Sequence, residues 1–319
     1  MVQDRQRVGP MRVLRVGTRG SLLARRQTAW VLQKIRDRFP ELLIEEEIIS
    51  TRGDRHSETP LPKLPQIGEK GLFTQELERA IAGGEIDLAV HSMKDLPTDL
   101  HEGLTVGAVP ERANPLDALV SKKRNCLNNL PAGSRIGTSS LRRAAQIRRR
   151  YPLLEIADIR GNLDTRLRKL DQGQVDALML AAAGLERIGW PSDDYLTVDP
   201  EICLPAPGQG ALAIEIRADD TLMGQICSEA LDDRSTRLAV TAERAFLLGL
   251  GGGCQVPIGA LATVRDHLLR LQGIVIQADG QNWLSGQAVV DPEQAFDAGI
   301  DLANRLLDQG AKEILEGGR

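Results

Sequence analysis

Along most of the chain, short apolar runs alternate with stretches of helical spacing, the pattern of an α/β protein. Met11 to Thr18, MRVLRVGT, predicts a first strand, and Gly17 to Ser21 a tight turn. Leu23, Trp30, Val31 and Ile35 recur at helical spacing, so Leu22 to Phe39 is predicted as a helix stopped by Pro40. Leu42 to Ser50 predicts a second strand, and Phe73 to Ile81 a helix that Gly83-Gly84 closes. Between them Arg55 to Lys70 is polar and rich in proline, too long for a plain connection, and is expected to be a lid or a disordered flap. Ile86 and Leu88 to Val90 then predict a buried parallel strand that breaks into His91, Ser92, Met93, Lys94 and Asp95, with Pro97 barring its continuation. Polar groups at the carboxyl end of such a strand sit where open α/β sheets bind ligands.

The pattern then repeats. RIGTSS matches RVGTRGS, and LRRAAQIRRRYP matches the helix that ends at Phe39-Pro40. Leu154 to Ile159 predicts a strand ending in Arg160-Gly161-Asn162, against Arg52-Gly53-Asp54 earlier, and Gly173 to Ala177 matches Gly84 to Ala89. The offset falls from 120 (Gly17 to Gly137) to 108 (Arg52 to Arg160) to 89 (Asp87 to Asp176), so the first copy carries the insertions. Val109 to Pro115 reads as a hinge, and Leu204 to Arg217 as a return crossing. From about Ser235 a helix (Leu238 to Leu248), strands (Pro257 to Val264, Leu268 to Gln277) and a last helix (Pro292 to Leu315) predict a separate unit. The expected architecture is two similar, periplasmic-binding-protein-like α/β domains around a hinged cleft, with a smaller C-terminal α+β domain. Residues 11–110 and 211–230 make the first, 115–205 the second and 235–319 the third.

Composition narrows the function classes. At 319 residues, 42% hydrophobic and 26% charged, the chain is an ordinary globular protein, and no apolar run is long enough to span a bilayer. Its first residues lack an apolar signal segment, and its 4 cysteines show no C-x-x-C pair, so a reducing cytoplasm is expected and a metal site is not. A net charge of −4 and 3% aromatics argue against nucleic acid as partner. Of the 40 basic residues 32 are arginine, the side chain that forks onto carboxylate or phosphate.

The arginines fall at loop ends. Thr18-Arg19-Gly20-Ser21 and Thr138-Ser139-Ser140-Leu141-Arg142-Arg143 each place hydroxyls, backbone N–H groups and arginine at a helix start, a ready anion site. Arg160 and Arg166 follow a strand end, and Arg187 lies just past the predicted strand DALMLAAAG. Arg148 to Arg150 read instead as a solvated helix face. Gly251-Gly252-Gly253-Cys254 lets backbone approach a bulky ligand closely and displays a thiol beside it; without a partner histidine, that thiol reads as an attachment point.

RVGTRGSLLARRQ, EKGLFTQELE, AVHSMKDLPT, IGTSSLRRAAQ, DIRGNLDTRL, AAGLERIG, LPAPGQGALAIE and GGGCQVPIG stand in order along the chain, which therefore resembles the porphobilinogen deaminase (hydroxymethylbilane synthase) family over essentially its whole length. The resemblance implies a cytoplasmic, monomeric transferase of haem and tetrapyrrole biosynthesis that condenses four porphobilinogen units, with loss of ammonia, into hydroxymethylbilane. It implies a dipyrromethane cofactor held by a thioether to Cys254, with Asp95 as the catalytic carboxylate. Ser92, Lys94, Thr138, Ser139, Ser140, Arg142, Arg143, Arg160 and Arg187 would hold the cofactor, and Arg19, Ser21, Gln27, Lys70, Phe73, Arg166 and Gln209 the substrate. The rival class is a hinged solute-binding or effector-sensing protein, against which the third domain and Cys254 count.

Overall fold

The computed structural model describes residues 13–51, 74–122, 125–251 and 257–317. In chain order these form β1 (Leu14–Thr18), α1 (Leu22–Arg38), β2 (Ile44–Ile48), α2 (Gln75–Ala82), β3 (Leu88–Ser92), β4 (Leu104–Ala108) and β5 (Asp117–Ser121). Next come β6 (Arg135–Gly137), α3 (Leu141–Arg150), β7 (Glu155–Ala157), α4 (Leu163–Asp171), β8 (Ala177–Ala181), α5 (Ala182–Ile188), β9 (Leu196–Thr197), β10 (Leu212–Arg217) and α6 (Thr221–Ala230). The chain continues through α7 (Arg234–Gly249), β11 (Ile258–Arg265), β12 (Leu268–Ile276), β13 (Trp283–Val290), α8 (Ala295–Asp308) and α9 (Ala311–Glu316). The predicted flap 55–70 lies outside the described residues.

Two five-stranded sheets share one plan, β2-β1-β3-β10-β4 and β7-β6-β8-β5-β9. In each the first three strands are parallel, and the fourth runs antiparallel both to the third and to the fifth. Strand β10 joins the first sheet after the chain has built the second, so both crossings contribute a strand. A third sheet, β11-β12-β13, is antiparallel and packs on α7 and α8 around Phe246. The fold is thus periplasmic-binding-protein-like in its two α/β lobes, with a smaller α+β domain behind.

The duplication extends to single hydrogen bonds. Asp87 accepts from the Arg15 amide at 2.8 Å, and Asp176 accepts from the Arg135 amide at 2.7 Å. Arg15 donates to the Gly84 carbonyl and Arg135 to that of Gly173, two glycines at φ +72 and +74°. Ser21 caps α1 by accepting from the Ala24 amide, and Ser140 caps α3 by accepting from that of Arg143.

Several elements differ from the sequence reading. β3 runs on through His91 and Ser92, because β10 pairs with it as far as Ser92, and it is parallel only to β1. Ala182 to Gly184 belong to α5 rather than to the preceding strand, so Arg187 lies on a helix. The last helix is two, parted at Gly310 with φ +101°. β13 was not foreseen: Leu284, Gly286, Ala288 and Val290 alternate with more exposed neighbours, a pattern that Ser285, Gly286 and Gln287 blur. β4, β5 and α6 also emerge only here.

The buried carboxylate of Glu243 on α7 joins the parts. It receives both ends of the Arg112 guanidinium at 2.7 and 2.9 Å, the Gly208 amide at 2.6 Å and the Ala262 amide at 2.7 Å. Arg112 lies in the outgoing crossing and Gly208 in the returning one, so one side chain fixes both to the third domain.

The duplicated aspartates differ in setting. Asp87 is fully buried and also meets Arg217, whereas the Asp176 side chain is 50% exposed. Asp87→Asn is expected to cost about 3 kcal/mol, as for one partner lost from a buried ion pair, and Asp176→Asn less than about 1 kcal/mol. Denaturant midpoints of the two variants at unchanged m-value check this.

Candidate active site

The first lobe offers the end of β3. Gln27, buried on α1, donates to the Ser92 hydroxyl at 3.0 Å and fixes it at the strand end. Below it Thr28 donates to Thr18 at 2.8 Å, locking α1 to the turn that carries Arg19 and Ser21, both half-buried. After Ser92 the chain tightens into a 3-10 turn, Met93–Asp95. Met93 is buried beneath, Lys94 is half-buried, and Asp95 is exposed at the tip. From the third domain, Arg244 on α7 donates to the carbonyls of Leu96 at 2.9 Å and Pro97 at 2.6 Å, holding the chain just past that tip.

The second lobe offers guanidinium groups. Arg166 on α4 donates to the Gly161 carbonyl at 2.8 Å and the Ser139 hydroxyl at 3.3 Å. Arg160 pairs with Asp158 at 3.1 Å, and its carbonyl accepts from Lys169. Arg187 donates to the Gly210 carbonyl at 2.7 Å, reaching from α5 to the returning crossing. Thr138 is buried and accepts from the Ser140 amide, while Ser139 and Ser140 are half-buried.

These side chains act on one another electrostatically. Burial pushes the Lys94 ammonium down to about 8; Asp95 and Asp117 oppose that, while Arg143 and Arg142 add to it. Burial likewise lowers Arg166 to about 10, with Arg143 and Arg160 adding to the effect and Asp158 and Asp95 opposing it. Asp95 of one lobe therefore lies within electrostatic reach of Arg166 of the other, so the two strand ends face a shared cleft. Arg187 is lowered to about 10 by burial against the opposing pull of Glu186. Among the described residues neither Arg166 nor Arg187 forms an ion pair with an acidic side chain. Desolvated cations of this kind are poised for an anionic ligand.

Two expected ligand contacts turn inward. Gln209 is fully buried: its amide donates to the Pro115 carbonyl and to Asp117, both at 2.9 Å, and its oxygen accepts from Arg143. Arg142, 4% exposed, grips Asp117 at 2.7 Å and the Leu204 carbonyl at 2.7 Å. Asp117 draws polar atoms of both inward. Arg143, 5% exposed, also pairs with Asp117, at 2.7 Å. Asp117 is the residue the sequence reading missed; DALVS had not been read as a strand, so nothing marked its first residue as buried. Cys254, Lys70 and Phe73 lie outside the described residues.

Comparison with known proteins gives the family. Residues 14–225 match the family described as "Porphobilinogen deaminase, dipyromethane cofactor binding domain", and residues 237–308 its C-terminal domain. The chain belongs to the porphobilinogen deaminase family. The porphobilinogen deaminase of Syntrophobacter fumaroxidans is 47% identical over 305 residues, covering 96% of this chain and 97% of its own. That of Desulforudis audaxviator is 49% identical over 300 residues, covering 94% and 96%. Among solved structures, the alkanesulfonate-binding protein SsuA from Xanthomonas axonopodis pv. citri aligns over 76% of this chain and 75% of its own, at 16% identity and a TM-score of 0.35. That likeness is too slight to argue from. The residues present fit the family's dipyrromethane cofactor: each of its rings bears two carboxylates, and Lys94, Arg166 and Arg187 are half-buried cations whose charge burial disfavours.

The charge on Lys94 is lost as pH rises through about 8, while Arg166 and Arg187 keep theirs to about 10. A pKa held below its unfolded value of 10.5 means that this group opposes folding below pH 8 and that its penalty fades between the two values. Carboxylate binding runs the other way, since it needs the cation. The KM for a carboxylate substrate is expected to rise above about pH 8, and Lys94→Gln to abolish that limb. A KM–pH profile of parent and variant decides.

Proposed function

We infer that the chain is a hydroxymethylbilane synthase of tetrapyrrole biosynthesis, which joins four porphobilinogen molecules head to tail on a dipyrromethane cofactor attached to Cys254. The observation that carries this reading is the pair of half-buried arginines, Arg166 and Arg187, without an ion-pair partner among the described residues, set across a cleft from the exposed carboxylate of Asp95. When bound, the cofactor supplies the free pyrrole carbon on which the product grows.

At each addition the bond from the substrate methylene to its amine breaks and ammonia leaves. A carbon–carbon bond to the next ring forms, and that ring gives up its proton. The departing amine leaves the methylene electron-poor, and the ring that attacks it carries positive charge on nitrogen until it loses its proton. Asp95, at the tip of its turn, answers both with one carboxylate and takes the proton as it is released. Its neighbour Lys94 is a cation and cannot stabilise another, so it serves substrate carboxylate. Arg19 and Ser21 from the first lobe, and Arg143, Arg160, Arg166 and Arg187 with Ser139 and Ser140 from the second, hold the acetate and propionate groups. Arg forks suit this task where a point charge would leave the ring free to turn.

We place the protein in the cytoplasm as a monomer, with no nucleic-acid or membrane partner. The free thiols of Cys126, Cys203 and Cys227 support a reducing compartment. Among the described residues no helix is long and apolar enough to cross a membrane.

The test is the mass of the intact chain with peptide mapping. The parent should carry a two-pyrrole adduct on Cys254, and Cys254→Ser should fold without it and be inactive; a free Cys254 thiol in fully active protein overturns the reading. Asp95→Asn should keep its melting temperature while losing about 10²–10⁴-fold in turnover. Arg160→Lys keeps the charge and loses the fork, so slower cofactor assembly or chain growth is expected in single-turnover assays.

A further inference from the structure

Helix α3 begins with a difficulty. Its first turn carries Arg142 and Arg143 and no acidic residue, so two cations stand at the positive end of the helix dipole. Both are buried, at 4 and 5% exposure. The answer comes from another element: Asp117, the first residue of β5 and fully buried. Its Oδ2 accepts from Arg142 at 2.7 Å, and its Oδ1 accepts from Nε of Arg143 at 2.8 Å and from Gln209 at 2.9 Å. The Cys203 thiol donates to Oδ2 at 3.2 Å. Two guanidinium groups against one carboxylate leave one positive charge in excess, at the N-terminus of a helix and beside the Ser139 and Ser140 hydroxyls.

The same carboxylate links the two crossings. It sits just beyond the outgoing one, and through Gln209 it holds the returning one, whose Gln209 carbonyl accepts from Arg112 at 2.8 Å. Arg143 donates as well to the Met179 carbonyl at 3.1 Å, which fixes the guanidinium against β8. Its orientation is thus set from two sides, and one of them is Asp117.

We propose that Asp117 is a positioning residue for this reaction: it holds Arg142 and Arg143 on one buried carboxylate and so sets the one surplus positive charge that this group, at the start of α3, presents to a ligand carboxylate. It touches neither substrate nor cofactor and acts through the arginines. The inference rests on the functional reading above for the identity of the ligand, and on the geometry alone for the effect on neighbouring charge. Lys94 reports that effect. It is half-buried in the same cleft, and the charges that act on it are Asp95 and Asp117, which favour its ammonium, and Arg143 and Arg142, which disfavour it. The pair Arg142–Asp117 holds that carboxylate well below the usual range: burial alone would raise it, and Arg142 and Arg143 overcome that. It therefore keeps its charge through the usual carboxylate range.

The experiment compares the full-length parent, Asp117→Asn and Asp117→Glu as purified. Acetic anhydride labelling of Lys94, mapped by peptide mass across pH, gives its titration; intact mass gives the fraction of chains carrying an adduct on Cys254; a thermal melt confirms folding. In folded Asp117→Asn the Lys94 titration should move to lower pH, and the adduct fraction should fall by at least about tenfold, as when one partner of a buried charge pair is removed. Asp117→Glu keeps the charge but displaces the oxygens, so Lys94 should titrate as in the parent while loading still falls. Parental titration and parental loading in folded Asp117→Asn overturn the proposal. Should Asp117→Asn not fold, parental loading in Asp117→Glu overturns it equally. An adduct on the parent chain tests the functional reading separately, because the Lys94 shift is read whether or not a cofactor is present.

Discussion

One carboxylate governs how the three parts of this protein meet. Glu243 is fully buried, and water cannot reach it. Its charge is tolerable only because the Arg112 fork and the amides of Gly208 and Ala262 surround it. Those partners come from the outgoing crossing, the returning crossing and the third sheet. Removing any one would leave a buried charge short of a donor, so each of the three parts helps hold the other two in place. The two crossings, read from the sequence as a bare hinge, are therefore pinned where they pass α7.

Within that frame the lobes have the same plan and opposite chemistry. The first ends its second βα unit in a buried strand with polar groups beyond it, the second in a buried strand that runs straight into a helix, and each starts its first helix with a serine cap. The first lobe puts an exposed aspartate there. The second puts arginines and hydroxyls at its turns and helix starts, and burial disfavours the charge of Arg166 and Arg187 among them. A cation without a local counter-ion attracts the carboxylates of a ligand. A lone carboxylate opposite is free to meet the positive charge that develops when an amine leaves. The division of labour lies between binding on one side and reaction on the other.

How much of this was legible in the sequence follows from what kind of signal each part leaves. The duplication was legible because strand, turn and capped helix recur with Gly17 and Gly137, Asp87 and Asp176 in the same roles. Those roles are local, set by backbone geometry within a few residues. The arginines at loop ends were legible for the same reason. What could not be read is long-range pairing. Asp117 and Gln209 lie 92 residues apart and meet through a side-chain hydrogen bond, and no periodicity records that. Gln209 was expected to hold substrate, by resemblance, and is fully buried. β13 failed for another reason: small and polar residues on both of its faces weaken the alternation by which strands are recognised.

The place of β10 has a consequence for the order in which the molecule comes into being. It lies between β3 and β4, and its residues follow the whole of the second lobe in the chain. As the polypeptide leaves the ribosome, the first sheet must wait with a gap at its fourth place while nearly the entire second lobe is made. The second lobe draws all five of its strands from one continuous stretch and can close by itself, since its contacts are nearer in sequence. The edge of β3, which leads to Ser92, Lys94 and Asp95, stays open until then, and an open edge invites pairing with the wrong chain. The segment that later performs the chemistry is thus among the last to be sealed during synthesis, and the second lobe must be made before it can be.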